Sequence, residues 1–524
     1  MPAAVRLAAL TVAAAACGVA VALAFPPFDW WLLLVPALVG LLAILWGQRP
    51  RRAALLGLVF GLTQMLCMLP WVRLIGPDAW VVLSLLEALF FAGFAWAVVR
   101  VQRLSWWPVA VAALWVLLEL GRSEVPFTGF PWGRLAFATV DSPVAGYVRW
   151  VGVPALSGLV VLIAALVWWA LLRRRLAPRA AVAGLAVAAG LGAAGMVLPV
   201  GIAGEVGTVD VAAVQGGVPG TGADGLTEQR EVVDNHEAAT LDYAADVADG
   251  TATPADVVMW PENSTDIDPF ADVATEEAIR RSVDAVGVPL LVGALTAGSD
   301  DDHLRNVGMV WRPGAGADEQ MYVKRNLVPF GEYIPMRDLL APLIGRLDEI
   351  SRDFEAGDEP GVLDLGPVVI GDAMCYDVAF EGVVAPSVRE GAELLVVQTN
   401  NATYLGTGQP AQQWAISRLR AMESGRDLVV ASTNGISGFV AADGSVLSRS
   451  YSADPQVLTS TVRRATGITW GVRVGGLLEW LLSGLGVAAL LVAGWSARRQ
   501  RTRGPERDTG GEPAPELAPV RGGR

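Results

Sequence analysis

The chain has 524 residues, of which 53% are hydrophobic and 17% charged, with a net charge of −13 and a mean hydropathy of +0.45. Soluble proteins carry about 25% charged residues, so this composition predicts a membrane protein with a water-soluble part. It excludes a disordered chain, a collagen-like repeat and, on charge, a nucleic-acid binder.

Apolar runs long enough to cross a bilayer need roughly 17–25 residues. Eight are predicted, at about 5–24, 31–47, 53–75, 79–99, 106–120, 154–172, 180–201 and 475–497. The first is followed at once by further apolar runs and reads as a retained span rather than a cleaved signal. Arginines gather in alternate loops: Arg49, Arg51 and Arg52, then Arg100 and Arg103, then Arg173, Arg174, Arg175 and Arg179, then Arg498 and Arg499. By the positive-inside rule these loops are cytoplasmic. Both termini then lie inside, and residues 205–466 face outward. Arg122, Arg134 and Arg149 fall on the outer side and go against the rule. Glu119 and Arg122, near the outer end of the fifth run, are expected to meet lipid headgroups or each other.

Residues 1–204 therefore read as a membrane domain of seven spans, 205–466 as an extracytoplasmic domain, 467–499 as a last span and 500–524 as a disordered tail. The 205–466 block holds most of the acidic side chains and a net charge of about −24. Short β-rich runs punctuate it at Val209–Val214, Asp256–Trp260, Pro289–Val292, Val307–Trp311, Val368–Ile370, Leu394–Val397 and Leu428–Ala431. Helical patterns lie between them at 226–248, 273–286 and 410–424. Continuous apolar strands alternating with helices predict an α/β domain with buried strands.

Three cysteines (Cys17, Cys67, Cys375) make no disulfide framework. Two histidines (His236, His303) make no multi-histidine metal centre, and no cofactor is expected. Cys375 follows the apolar run Val368–Met374, at a strand end where nucleophiles stand. His236 and His303 both sit among polar residues and read as solvated, so neither is the expected base. Glu262, in Trp260-Pro261-Glu262, stands where another strand opens into a loop, beside an aromatic and a proline that would partly desolvate it. Lys324 is the only lysine, against 38 arginines. A compact ammonium fits close to a developing oxyanion where a guanidinium fork does not.

Glu262, then Lys324 in the string Val328-Pro329-Phe330-Gly331-Glu332-Tyr333 that follows it, then Cys375, in that order, resemble the nitrilase superfamily. The Trp-Pro-Glu and Val-Pro-Phe-Gly-Glu-Tyr strings, with eight spans around them, are similar to the bacterial apolipoprotein N-acyltransferase family. So is Phe127-Thr128-Gly129-Phe130-Pro131-Trp132. The chain departs from that family at Asp377, where Glu is usual, and at Asn401 and Thr403, where Asp and Trp are usual.

The resemblance implies an α-helical polytopic membrane domain joined to a nitrilase-like α-β-β-α sandwich. It implies acyl transfer from a phospholipid to the N-terminal amine of a diacylglyceryl-modified apolipoprotein, through a thioester on Cys375. Glu262 would be the base and Lys324 the oxyanion partner. Glu332, Tyr376 and Asp377 would support the substrate and oxyanion, the backbone N–H of Tyr376 included. It places the protein in the bacterial inner membrane. A membrane-tethered amidase, passing the acyl group to water with the same three residues, is the alternative; a proton-coupled transporter is disfavoured by the scarcity of intramembrane charge, of which Glu87 is the clearest, and a membrane scaffold is excluded if removing the Cys375 sulfur abolishes function.

Overall fold

A computed structural model of the chain describes residues 2–218, 230–340, 342, 345 and 352–502. Among these, eight predominantly apolar helices stand where eight runs were predicted: α1 (Ala3–Ala22), α2 (Leu34–Leu45), α3 (Pro50–Met68), α4 (Pro77–Val101), α5 (Trp107–Glu124), α6 (Val148–Arg173), α7 (Pro178–Ala194) and, after the α/β domain, α13 (Trp470–Thr502). Five of these regions are long and apolar enough to cross a membrane by themselves: Ala4–Ala22, Pro50–Met68, Pro77–Val101, Ala145–Arg173 and Trp470–Arg499. The helices α2 and α7 are shorter, and α5 carries Glu119, Arg122 and Glu124 in its last two turns. Proline opens α3, α4, α5 and α7, where its missing N–H costs nothing. The last helix runs on to Thr502, past the predicted end of the span; the tail expected to be disordered lies, from 503, outside the described residues.

The arginines that went against the loop-charge rule are all engaged. Arg122 lies inside α5 and pairs with Glu87 of α4. Arg134 pairs with Glu479 of α13 at 2.7 Å, and Arg149 donates to the Gly201 carbonyl. The expected Glu119–Arg122 contact does not form. Glu119 instead accepts from Trp115 Nε1 at 2.8 Å and from the Leu135 N–H at 2.9 Å, buried inside the helix bundle.

The region between α7 and the last helix builds two sheets. Its elements are β1 (Glu205–Gln215), α8 (Glu231–Ala248), β2 (Val257–Met259), α9 (Val273–Val286), β3 (Leu290–Ala297), β4 (His303–Arg312), β5 (Gly316–Val323), the single turn α10 (Arg337–Leu340), β6 (Asp353–Phe354), β7 (Val362–Asp364), β8 (Val369–Met374), α11 (Glu381–Arg389), β9 (Leu394–Thr399), α12 (Gln409–Ser424), β10 (Leu428–Ser432), β11 (Gly438–Val440), β12 (Val446–Arg449) and β13 (Gln456–Ala465). One sheet runs β13-β1-β2-β3-β4-β5 with β6 beside β4; the other runs β12-β11-β10-β9-β8-β7. The pairs β1–β2, β2–β3, β8–β9 and β9–β10 are parallel. Every predicted strand and helix is present. The first predicted helix, from 226, starts at Glu231, and its first residues lie outside the described ones.

The burial pattern explains the layers. Alternate residues of the parallel strands face opposite ways. Val211, Met259, Leu291, Ile370, Val396 and Val429 meet between the sheets. Ala212, Val258 and Leu290 face α8 and α9. Leu395, Val397 and Val430 face Val384, Val388, Trp414 and Leu419 of α11 and α12. This is the expected α-β-β-α sandwich. Its second helical layer shares one continuous apolar cluster with the membrane helices, including Phe60, Trp115 and Leu156. The sandwich is therefore seated on the bundle by packing, and its orientation there is specified.

Candidate active site

The strand β8 ends at Met374, and Cys375 opens a 3-10 turn, Cys375–Ala379. Cys375 has φ 48°, a left-handed conformation that a non-glycine residue adopts only when its surroundings impose it. The turn thrusts the side chain out of the strand end while keeping the residue half-buried. Asp377 holds this geometry. One of its oxygens accepts from the Asn326 N–H at 2.8 Å and Asn326 Nδ2 at 3.0 Å, the other from Tyr322 Oη at 2.7 Å. It ties the loop after Lys324 to the turn that carries the thiol. With its carboxylate occupied by protein donors, Asp377 ties that turn in place.

Four further side chains converge on the cleft. Lys324, 1% exposed, follows β5 and donates to Glu262 Oε1 at 2.9 Å and to Glu332 Oε1 at 2.8 Å. Asn306 of β4 donates to the same two carboxylates, at 2.8 and 3.1 Å. The Asn400 N–H closes on Glu262 Oε2 at 2.9 Å, and the Val328 N–H on Glu332 Oε2 at 2.7 Å. Both carboxylates are thus fixed at both oxygens.

Electrostatics decides the resting protonation. Burial works against the Lys324 charge, but Glu262 and then Glu332 outweigh it and hold the ammonium well above the usual lysine range. Burial, reinforced by the Glu262 charge, pushes the Cys375 thiol up to about 12, against the opposing pull of Lys324 and a hydrogen bond with Thr399. The site therefore rests as a neutral thiol beside a charged lysine. Ionising that thiol needs a partner that takes its proton at the moment of attack.

The membrane part reaches into the cleft through residues 125–133. Tyr376 Oη donates to the Gly129 carbonyl at 3.0 Å, and its ring stacks against Phe130 and Trp132 with centroids 6.1 and 6.3 Å away. Tyr333 Oη donates to the Phe127 carbonyl at 3.2 Å, and Phe127 meets Phe330 edge-on. Gln412 of α12 latches the other side. Its Oε1 accepts from Trp132 Nε1 at 2.8 Å and Trp71 Nε1 at 3.1 Å. The Phe-Thr-Gly-Phe-Pro-Trp string is thus the membrane domain's wall of the cleft.

Residues 17–166 match the family model "Apolipoprotein N-acyltransferase N-terminal domain", and residues 210–471 match "Carbon-nitrogen hydrolase". A relative from Mycolicibacterium smegmatis named apolipoprotein N-acyltransferase is 36% identical over 500 residues, covering 91% of this chain and 84% of its own. The chain belongs to the apolipoprotein N-acyltransferase family. A member from Nitrosomonas europaea is 31% identical over 518 residues, with 93% and 98% covered. Among solved structures, an amidase from Nesterenkonia sp. is 18% identical, covering 51% of this chain and 94% of its own, at a TM-score of 0.35. Like the family's named members, the chain is an acyltransferase of the nitrilase superfamily and a bacterial membrane protein.

Sequence reasoning singled out Glu262, Lys324, Glu332, Cys375, Tyr376 and Asp377, and the fold brings all six to one region. It missed Asn306 and Thr399. A polar residue inside the otherwise apolar runs Val307–Trp311 and Leu394–Val397, or at their edge, was the available signal. The reading of His236 is corrected. His236 is fully buried under Trp260, with ring centroids 5.7 Å apart, and its Nδ1 meets the Val232 carbonyl at 2.7 Å. His303 is exposed as expected and pairs with Asp300 at 2.6 Å.

Proposed function

We propose that the protein moves an acyl chain from a membrane phospholipid to the N-terminal amine of a diacylglyceryl-modified apolipoprotein, through a thioester on Cys375. The observation that carries this reading is the joining of a thiol, a lysine and two carboxylates in a cleft whose other wall is the loop that follows α5 of the helix bundle. Glu262 takes the thiol proton as Sγ attacks the ester carbonyl. The oxyanion forms against Lys324 Nζ and the Tyr376 N–H, which at the second position of its turn has no intrahelical acceptor. Donors placed in this way each contribute about 3–4 kcal/mol to lowering the barrier. Glu262 then protonates the departing lysophospholipid alkoxide. In the second half-reaction the amine attacks the thioester, Glu262 takes an amine proton, and the thiol is regenerated.

Glu332 keeps Lys324 charged and in place. The catalytic domain faces outward and both termini face the cytoplasm, so the two lipid substrates reach the cleft from the outer leaflet without being extracted, a step that would cost about 0.8 kcal/mol per CH₂. Residues 1–204, 205–466 and 467–499 act as membrane, catalytic and closing membrane segments. The test is intact mass after incubation with phospholipid alone. A gain of one acyl group, removed by hydroxylamine, discharged by a diacylglyceryl-cysteine peptide and absent from Cys375→Ala, is expected. Transfer that persists in Cys375→Ala would overturn the mechanism.

A further inference from the structure

Behind the cleft lies a buried carboxyl that the mechanism does not use. Asp372 is on β8, three residues before Cys375, and is 1% exposed. Neither of its side-chain oxygens has a hydrogen-bond partner among the described residues, and the same holds for Gln398 Oε1 on β9. The strand register explains why these atoms share a space. Asp372 is opposite Val396 in the parallel β8–β9 pair, so Gln398, two residues on, projects from the same face. The facing sheet presents Gly308. A Cβ built there would stand 2.2 Å from Asp372 Oδ2 and 2.8 Å from Gln398 Oε1. Both oxygens therefore crowd into the room left by one missing side chain.

Two acceptors crowded into one dry space repel, and an unpaired buried carboxylate costs several kcal/mol. Turning the Gln398 amide does not help. Its Nε2 donates to the Trp260 carbonyl at 2.6 Å, and the reverse orientation would set two oxygens at that distance. One proton on Asp372 removes both problems. Burial, with the nearby charges of Asp377 and Glu262, also drives this carboxyl well above its usual range. The other titratable neighbour across the sheet interface is Tyr322, itself held neutral by burial and by Asp377.

We propose that Asp372 stands as a neutral carboxylic acid donating its proton to Gln398 Oε1, and that this pair is a positioning element that seats Glu262. The chain Asp372–Gln398–Trp260 joins the strand of the nucleophile to the strand of the base. Two residues further on, the Asn400 N–H holds Glu262 Oε2. Trp260 and Glu262 are thus pinned to Gln398 and Asn400 by two rungs in step. A neutral acid supplies the first rung without adding negative charge beside a thiol that must ionise.

The experiment is infrared difference spectroscopy on the full-length protein in detergent, combined with acyl-enzyme formation followed by intact mass. Parent minus Asp372→Asn is expected to show a protonated-carboxyl C=O band at neutral pH that persists at mildly alkaline pH. In Gln398→Met that band is expected to move to the higher frequency of an unbonded acid. Asp372→Asn, whose amide can still donate to Gln398, should acylate within about threefold of the parent, whereas Asp372→Ala and Gln398→Met should be slower by about tenfold to a hundredfold, as misplacing a base costs. The rate measurements rest on the thioester reading above; the infrared band does not. A carboxylate band in place of the acid band, or an Asp372→Asn variant as slow as Asp372→Ala, would overturn the proposal.

Discussion

Two cations are buried to the same depth in this protein, and only one of them sits in a cleft that can do chemistry. Arg122, in the helix bundle, and Lys324, in the sandwich, are each 1% exposed. Arg122 pairs with one carboxylate, Glu87, donates to the Trp132 carbonyl at 2.9 Å and lies over the Phe91 ring. Its fork joins fixed acceptors on separate segments and closes the site around itself. Lys324 faces two carboxylates, more negative charge than it can neutralise, with the Cys375 thiol within electrostatic reach. Burial and ion pairing are common to both. The surplus negative charge and the adjacent thiol are what distinguish the cleft. The same division of labour runs through the chain: Arg134 on Glu479 and Arg420 on Glu381 and Glu423 are architectural, and the one lysine is placed where a compact charge is needed.

The comparison can be broken from the Arg122 side first. Arg122→Met leaves Glu87 buried without its cation and frees the Trp132 carbonyl. Such removal of one partner costs about 3–5 kcal/mol, whereas replacing both partners by apolar groups is often neutral. The expected outcome is a large drop in the thermal midpoint for Arg122→Met and recovery of most of it in Arg122→Met with Glu87→Met. The residual folded Arg122→Met protein should still form the thioester. A double variant as unstable as the single one would mean that Arg122 acts mainly by donating to Trp132.

The Lys324 side gives the complementary test. Lys324→Arg keeps the charge but widens the donor, and Glu262, Glu332 and Asn306 already occupy the space around Nζ. Losing one well-placed oxyanion donor slows the step by on the order of 10²–10³-fold. Acyl-enzyme formation should fall by that factor with the thermal midpoint little changed. Acylation at the parent rate in Lys324→Arg would erase the distinction between the two cations and move oxyanion stabilisation to backbone donors.

Much of this was readable in the sequence because each signal was local. Strands buried on both faces are continuous apolar runs, so β1, β9 and β10 stood out. Cys375 and Glu262 stood at strand ends, and Lys324 was conspicuous in a chain of arginines. What could not be read depends on which distant segments meet. Asn306 looks like the polar edge of a strand until β5 brings Lys324 beside it. The pairing of Arg122 with Glu87 rather than Glu119 is set by how α4 packs on α5. His236 was misread for a different reason: its neighbours Asp234, Asn235 and Glu237 are polar, but a helix buries a stripe and not a window. Val232, His236, Thr240 and Tyr243 recur at helical spacing, and all four are buried.

That correction supplies a further buried basic group, one with no carboxylate partner among the described residues, and the smallest of the expected effects. Burial lowers the His236 imidazole from 6.5 to about 4, against the weaker pull of the Val232 carbonyl. Below pH 6.5 the unfolded chain takes up a proton that the folded chain refuses until about pH 4. The contribution to stability is therefore complete above pH 6.5, declines as the pH falls, and is lost by about pH 4. At 1.36 kcal/mol per unit the loss is on the order of 3 kcal/mol. Asp372 and Asp377 act in the opposite sense, because burial raises their carboxyls and acidification relieves them. The quantity to measure is thus the difference between the parent and His236→Gln in thermal midpoint against pH. Gln cannot titrate, so the parent should lose its advantage over the variant between pH 6.5 and about 4. Parallel curves through that window would mean that His236 titrates in the folded protein as it does in water. Burial without a counter-charge would then not be what separates it from Arg122 and Lys324.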